Sequence, residues 1–182
     1  MATPYRELMN MDELPSVYQD MRVFEHKIIY YESSRGCPFG CSYCLSSVSR
    51  SVRFRSLPLV FAELQIFLDA KVPQVKFVDR TFNCNHERTL ALLHFLRTHD
   101  NGVTNFHFEV AADLLNEAEL AEIAAMREGL VQLEIGVQST NLQTIEAIDR
   151  TMNLEKLKKV VASVHSLSLI HISEPTRRVV IS

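Results

Sequence analysis

Tyr31-Glu-Ser-Ser-Arg-Gly-Cys-Pro-Phe-Gly-Cys-Ser-Tyr-Cys-Leu-Ser-Ser47 is the stretch on which the reading of this chain turns. It sets Cys37, Cys41 and Cys44 in a C-x3-C-x2-C run, directly after Ile28 to Tyr31, a β-branched and aromatic segment that reads as a buried strand. Gly36, Pro38 and Gly40 supply turns that let the sulfurs converge, since Gly tolerates positive φ and Pro presets its own. Three thiolates so close together repel one another unless a cation or an iron-sulfur core takes up their charge. The local run stops at three ligands, whereas most four-iron clusters and closed zinc sites take four.

The spacing, with Tyr43 as the aromatic residue before the last cysteine, resembles the signature of the radical S-adenosylmethionine (SAM) superfamily. The resemblance implies a [4Fe-4S] cluster on Cys37, Cys41 and Cys44, with its fourth iron left open for the amino and carboxylate groups of SAM. It implies an enzyme that cleaves SAM reductively to methionine and a 5′-deoxyadenosyl radical, which abstracts hydrogen from an unknown substrate. An electron donor such as flavodoxin or ferredoxin is implied as partner, and Tyr43 is expected close to the cluster and the adenine.

Two other readings stay open. A non-catalytic zinc module would complete the three thiols with Cys84 or His86, although zinc knuckles favour paired C-x2-C units. An RNA-modifying enzyme of the methylthiotransferase type shares the cysteine loop, but would want further domains and a basic surface. A disulfide set is disfavoured, because no secretory signal peptide is present and the sequence reads as that of a cytosolic, cytoplasmic α/β protein.

The 182 residues allow one domain, 47% of them are hydrophobic, and no apolar run is long enough to span a bilayer. A net charge of −3 gives no electrostatic case for nucleic acid. Arg50, Arg53 and Arg55 form a local basic cluster whose ordinary role is pairing with acidic neighbours or water.

Outward from the cysteines, β-rich runs alternate with helical periods. Strands are expected at about His26 to Glu32, Val75 to Asp79, Asn105 to Ala111 and Val131 to Val137. Helices are expected at about Leu57 to Ala70, Glu87 to Thr98, Glu117 to Arg127, Leu142 to Ile148 and Leu154 to Ser166. Repeated βα units with short connections imply an α/β fold with a parallel sheet. The resemblance implies an incomplete radical SAM-type partial (βα)6 barrel with about four βα units present.

Along the fourth strand Leu133, Ile135 and Val137 alternate with Gln132, Glu134, Gly136 and Gln138; along the third, Phe106, Phe108 and Val110 alternate with His107 and Glu109. The apolar sets are expected to face helices and the polar sets a ligand-holding interior. Ligand chemistry in βα barrels gathers at C-terminal strand ends. The cysteine loop, Asp79 to Asn83, Glu109, and Gln138 to Thr140 all fall there. Glu134-Ile-Gly-Val-Gln-Ser139 resembles the GxQS segment of radical SAM subgroups related to methylthiotransferases and cobalamin-linked enzymes. That resemblance implies cofactor-binding roles for Tyr43, Asp79, Glu109, Glu134, Gln138 and Ser139, while the Gly-Gly-Glu that often receives the SAM amino group is missing. Arg80 and Arg150 can each meet a carboxylate bidentately or pair with a neighbouring acid.

Residues 1–22 read as a lead-in segment, 23–166 as the partial core, and 167–182 as a tail. Relatives with this kind of cysteine loop often carry a cobalamin-binding domain upstream, so cobalamin is expected only in a full-length protein. Leu167 to Arg177 matches a translated sequencing adapter, so the tail is expected to be non-native. Without strands five and six, the fourth strand's edge is expected to be unpaired and the chain alone to be poorly soluble and inactive.

Overall fold

The computed structural model describes residues 7–48, 50–166 and 171–172. Most of the tail lies outside the described residues, as do Met1 to Arg6 of the lead-in.

In chain order the elements are β1 (Ile29–Tyr31), β2 (Ser34–Arg35), β3 (Arg53–Phe54), α1 (Leu57–Asp69), β4 (Gln74–Phe77), α2 (His86–Thr98), β5 (Asn105–Val110) and α3 (Glu117–Ala124). There follow β6 (Val131–Ile135), α4 (Leu142–Ala147), α5 (Leu154–Ser166) and β7 (His171–Ile172). A five-stranded sheet runs β1-β4-β5-β6-β7 with every pair parallel, while β2 and β3 form a separate antiparallel pair. The strand order follows the chain order, as repeated βα units dictate.

The alternation expected along the strands is realised. Phe106, Phe108, Val131, Leu133 and Ile135 are buried in one core with Leu64 and Phe67 of α1, Leu92, Leu93 and Leu96 of α2, and Val160 and Val164 of α5. Phe82 stacks on Phe108 with centroids 4.0 Å apart, and Phe77 leans on the same ring at 4.7 Å. Each fully buried side chain of this size stabilises by about 1.5–3 kcal/mol relative to exposure.

Helix starts are set locally. Asn85, Asn116 and Asn141 accept from backbone amides of the first turns of α2, α3 and α4, and Asn116 with Glu119 forms a capping box. The start of α1 is held differently: the Ser56 amide donates to Asp12 of the lead-in at 2.7 Å.

The first strand is shorter than its sequence suggests. His26 takes a left-handed φ of 61° after a 3-10 turn at Met21–Phe24, so extended pairing begins only at Ile29. The lead-in is anchored rather than loose. Tyr18 packs its ring edge-on against Phe67, and its hydroxyl donates to the Tyr30 carbonyl on the edge strand. The arginines after the cysteines are all engaged. Arg50 pairs with Asp149 at 3.1 Å, Arg53 donates to the Met9 carbonyl, and Arg55 forms a buried pair with Glu63 while donating to the Met11 and Leu14 carbonyls.

The edge beyond the fourth large strand is not bare over its whole length. Leu133 and Glu134 of β6 pair with His171 and Ile172 of β7, which falls within the tail segment.

Candidate functional site

The cysteine loop is closed at its base by the β2–β3 pair, Ser34 opposite Phe54 and Arg35 opposite Arg53. Gly36 enters the loop at φ 108°, where a Cβ would stand 2.0 Å from the Ser51 carbonyl oxygen, so glycine is demanded there. A tight turn follows, with the Cys44 amide donating to the Cys41 carbonyl at 3.1 Å. All three thiols are free, Cys37 and Cys41 buried and Cys44 half-buried. They line one cavity of about 360 Å³ at the C-terminal ends of the strands.

The far wall comes from the neighbouring strands. Arg80 and Thr81 after β4, Glu109 on β5, and Glu134, Gly136 and Gln138 on and after β6 line the same cavity, as do Tyr43 and Arg150. Four of the six residues expected around the cofactor (Tyr43, Glu109, Glu134 and Gln138) therefore line the same cavity as the cysteines.

Asp79 and Ser139 do not line it. Asp79 is buried, and its carboxylate accepts the amides and hydroxyls of both Ser33 and Ser34 at 2.6 to 3.1 Å. Burial lifts its pKa above the usual carboxylate range, against the pull of those hydrogen bonds. At the other end of the same connection, Asn83 exchanges two hydrogen bonds with Ala111, at 2.8 and 2.9 Å. Asp79 and Asn83 thus brace the loop that presents Arg80 and Thr81, and Thr81 brings its hydroxyl to 3.5 Å from the Cys37 sulfur. The strand ends at Ile135, short of the expected Val137; beyond it Gln138 takes a left-handed φ of 63°, and Ser139 turns its hydroxyl to the Asn141 amide.

Arg150 is the residue whose role the sequence left least defined. Its Nη1 donates to the Tyr43 hydroxyl at 3.0 Å and lies 3.9 Å from the Cys41 sulfur, while Nη2 donates to the Gly136 carbonyl. The preceding residues dock on the same loop: Ser42 donates its amide to the Ile148 carbonyl at 2.9 Å, and Arg50 pairs with Asp149. The Nε of Arg150 is buried with no partner among the described residues. Arg80 is exposed and shows no ion-pair partner there.

Below the cavity, three strands contribute a charged tier. Lys76 Nζ and His107 Nε2 both approach Glu134 Oε2, at 3.1 and 3.0 Å. The lysine contact is a hydrogen bond, whereas the buried His107 Nε2 makes no well-aligned hydrogen bond among the described residues. Burial, then the Lys76 charge, hold the His107 pKa below its ordinary value.

The fourth ligand that a closed zinc site would need is not among the residues lining this cavity. Cys84 is absent from the cavity lining, and His86 turns its Nδ1 to the buried Glu119 at 3.0 Å. Among the described residues no three His, Cys, Asp or Glu side chains converge on a position for one metal ion. A cubane spreads its ligand sulfurs over separate irons and asks for no such convergence. Three free thiols lining the cavity, and a buried Arg150 donor that lacks an acceptor among the described residues, fit a cluster with one iron free of protein sulfur.

The family model described as the radical SAM superfamily matches residues 31–173, most of the chain. The chain belongs to the radical SAM superfamily. Membership brings a [4Fe-4S] cluster and SAM as the family's cofactors. Two curated relatives are each 27% identical. Bacteriochlorophyllide d C-12(1)-methyltransferase of Chlorobaculum tepidum aligns over 73% of this chain and 30% of its own length; an uncharacterized methyltransferase of Pyrococcus horikoshii aligns over 79% and 32%. This radical SAM chain thus spans about a third of the length of the relatives it matches.

Among solved structures, the radical SAM methyltransferase TsrM from Kitasatospora setae, with cobalamin and a [4Fe-4S] cluster bound, superposes at a TM-score of 0.68 and 14% identity. The match covers 80% of this chain and 28% of that one. The cobalamin-dependent SAM radical enzyme OxsB, with aqua-cobalamin bound, superposes at 0.72 and 19% identity over 91% of this chain and 26% of its own. These likenesses establish the partial-barrel fold. No helix among the described residues is long and apolar enough to cross a membrane.

Proposed function

We propose that this chain is the radical-generating core of a cytoplasmic radical SAM methyltransferase, with cobalamin held by a part of the protein outside the present sequence. The observation that carries the proposal is the single cavity shared by Cys37, Cys41, Cys44 and the polar residues of three successive strand ends. The methyltransferase assignment is taken from the curated relatives, and substrate is left open.

In this proposal Cys37, Cys41 and Cys44 ligate the cluster, which supplies the electron that cleaves bound SAM. The residues around it hold SAM and keep water out. SAM carries a carboxylate and an ammonium group on one carbon, together with a sulfonium cation, and the cavity offers both signs of charge. Arg80, exposed and without an ion-pair partner among the described residues, suits the SAM carboxylate. Glu109 and Glu134 suit its cationic and hydroxyl groups, with Gln138 and Tyr43 as further polar contacts. Glu134 is prepared for this by Lys76, which engages Oε2, while no partner is shown for Oε1 among the described residues. Such a pre-set acceptor loses little by reorganisation on binding. A soluble electron donor of the flavodoxin or ferredoxin kind completes the proposal.

The test is anaerobic reconstitution with iron and sulfide, followed by metal analysis of single substitutions. About four iron per chain is expected in the wild type and in Cys84→Ala, the count of one four-iron cluster. Loss of most iron is expected in Cys37→Ala, Cys41→Ala and Cys44→Ala. Retention of zinc that depends on Cys84 would overturn the proposal.

A further inference from the structure

Resting on the cluster proposed above, we infer that Arg150 tunes and secures that cluster, donating from its guanidinium to the sulfur of Cys41 and so raising the cluster's reduction potential. Three observations converge on this residue. Nη1 lies 3.9 Å from the Cys41 sulfur, within hydrogen-bonding reach for sulfur as acceptor. Nη2 and Nη1 are fixed from both sides by the Gly136 carbonyl and the Tyr43 hydroxyl, so the fork is oriented without help from a ligand. The third is Nε, buried with no hydrogen-bond acceptor among the described residues, in a side chain that lines the cavity of the three thiols.

The chain delivers the arginine to this place by a three-residue clasp. Ile148, Asp149 and Arg150 follow α4 and each meets the cysteine loop: the Ile148 carbonyl takes the Ser42 amide, Asp149 takes Arg50, and Arg150 takes Tyr43 and Cys41. Asp149 stands at φ 49°, the left-handed turn that swings Arg150 back over the loop. The clasp thus ties the end of the fourth βα unit to the loop after the first, Cys41 and Arg150 standing 109 positions apart in sequence.

The consequence follows from charge. One-electron reduction adds negative charge to the cluster and its thiolates. A hydrogen bond to a ligand sulfur and a fixed cation beside it both favour the reduced form, and hydrogen bonds to sulfur are among the levers that set iron-sulfur potentials. Arg150 is therefore a tuning and positioning residue. Arg80 is left to meet the carboxylate of SAM, because the Arg150 fork is already committed to Tyr43, Gly136 and the sulfur.

The experiment is a dithionite titration of the reconstituted protein in the absence of SAM, followed by electron paramagnetic resonance of the reduced cluster. Arg150→Met is expected to titrate at a more negative midpoint potential than the wild type. Arg150→Lys, which keeps the charge and loses the fork, is expected to fall between them. Should Arg150→Met fail to retain a cluster, Arg150→Gln, which can still meet the Gly136 carbonyl, takes its place in the series. A midpoint that is the same in the wild type, Arg150→Lys and the neutral variant overturns the inference while leaving the cluster intact. A wild type that takes up no cluster overturns both this inference and the proposed function, so the two failures are told apart.

Discussion

Ser33 and Asp79 are joined twice, the carboxylate accepting the serine's amide at 2.7 Å and its hydroxyl at 2.6 Å. Ser34 repeats both bonds. An acidic residue at a strand end beside the site is thereby committed to holding the β1–β2 connection against the β4–α2 connection. Asp79→Ala would orphan two buried amides at about 1–3 kcal/mol each, so a loss of about 2–6 kcal/mol is expected. Chemical denaturation measures it, and an unchanged midpoint would contradict this role.

Arg55 does for the lead-in what Asp79 does for the loops. It pairs with buried Glu63 through two bonds of 2.8 and 2.9 Å and donates to the Met11 and Leu14 carbonyls, while Tyr31 gives its hydroxyl to Glu63 at 2.6 Å. Arg55→Met leaves that carboxylate without its cation, and breaking a buried pair from one side costs about 3–5 kcal/mol. Limited proteolysis is expected to open the lead-in around Met11 to Ser16 in this variant. Equal resistance in wild type and variant would show that the lead-in is held by other contacts.

Gly36 sets the entry to the cysteine loop. In Gly36→Ala the new methyl meets the Ser51 carbonyl, and the left-handed backbone adds about 1–3 kcal/mol of strain. Fewer iron atoms per chain after reconstitution are expected, with secondary structure by circular dichroism kept. Full iron loading would mean that the loop adjusts at little cost.

His107 gives a pH dependence of defined sign. Burial and the Lys76 charge lower its folded pKa below the unfolded value near 6.5, with Glu134 acting in the opposite direction. Between those two values the unfolded chain binds a proton that the folded chain does not. Its contribution to stability is therefore complete above about pH 6.5 and is lost as pH falls toward the folded value. Relative to wild type, His107→Gln is expected to lose less stability on acidification through that window, in denaturation midpoints measured at several pH values. Parallel pH curves would rule out a buried neutral histidine.

Much of this was legible in local sequence. The period-2 alternation of Val131 to Ile135 and Asn105 to Val110 located both the strands and the wall that carries Glu109 and Glu134, because one face had to be buried. The spacing of the three cysteines located the loop. What local pattern does not encode is the partner across the fold. Asp79 reads as a ligand until Ser33 and Ser34 are placed against it, and Ser139 reads as cavity-lining until the left-handed Gln138 turns it away. Arg150 carries no local signal for Cys41, since the contact depends on α4 ending in a left-handed turn. His26 shows the same limit at β1, where one positive φ cuts short a run of good strand formers.

The most direct test of the account is electron paramagnetic resonance of the dithionite-reduced, reconstituted protein with and without SAM. A reduced four-iron signal that changes on adding SAM is the expected result, because in the proposed site an iron left free by Cys37, Cys41 and Cys44 would take SAM as its ligand. A cluster signal indifferent to SAM, or a protein that holds zinc and no cluster, would contradict it.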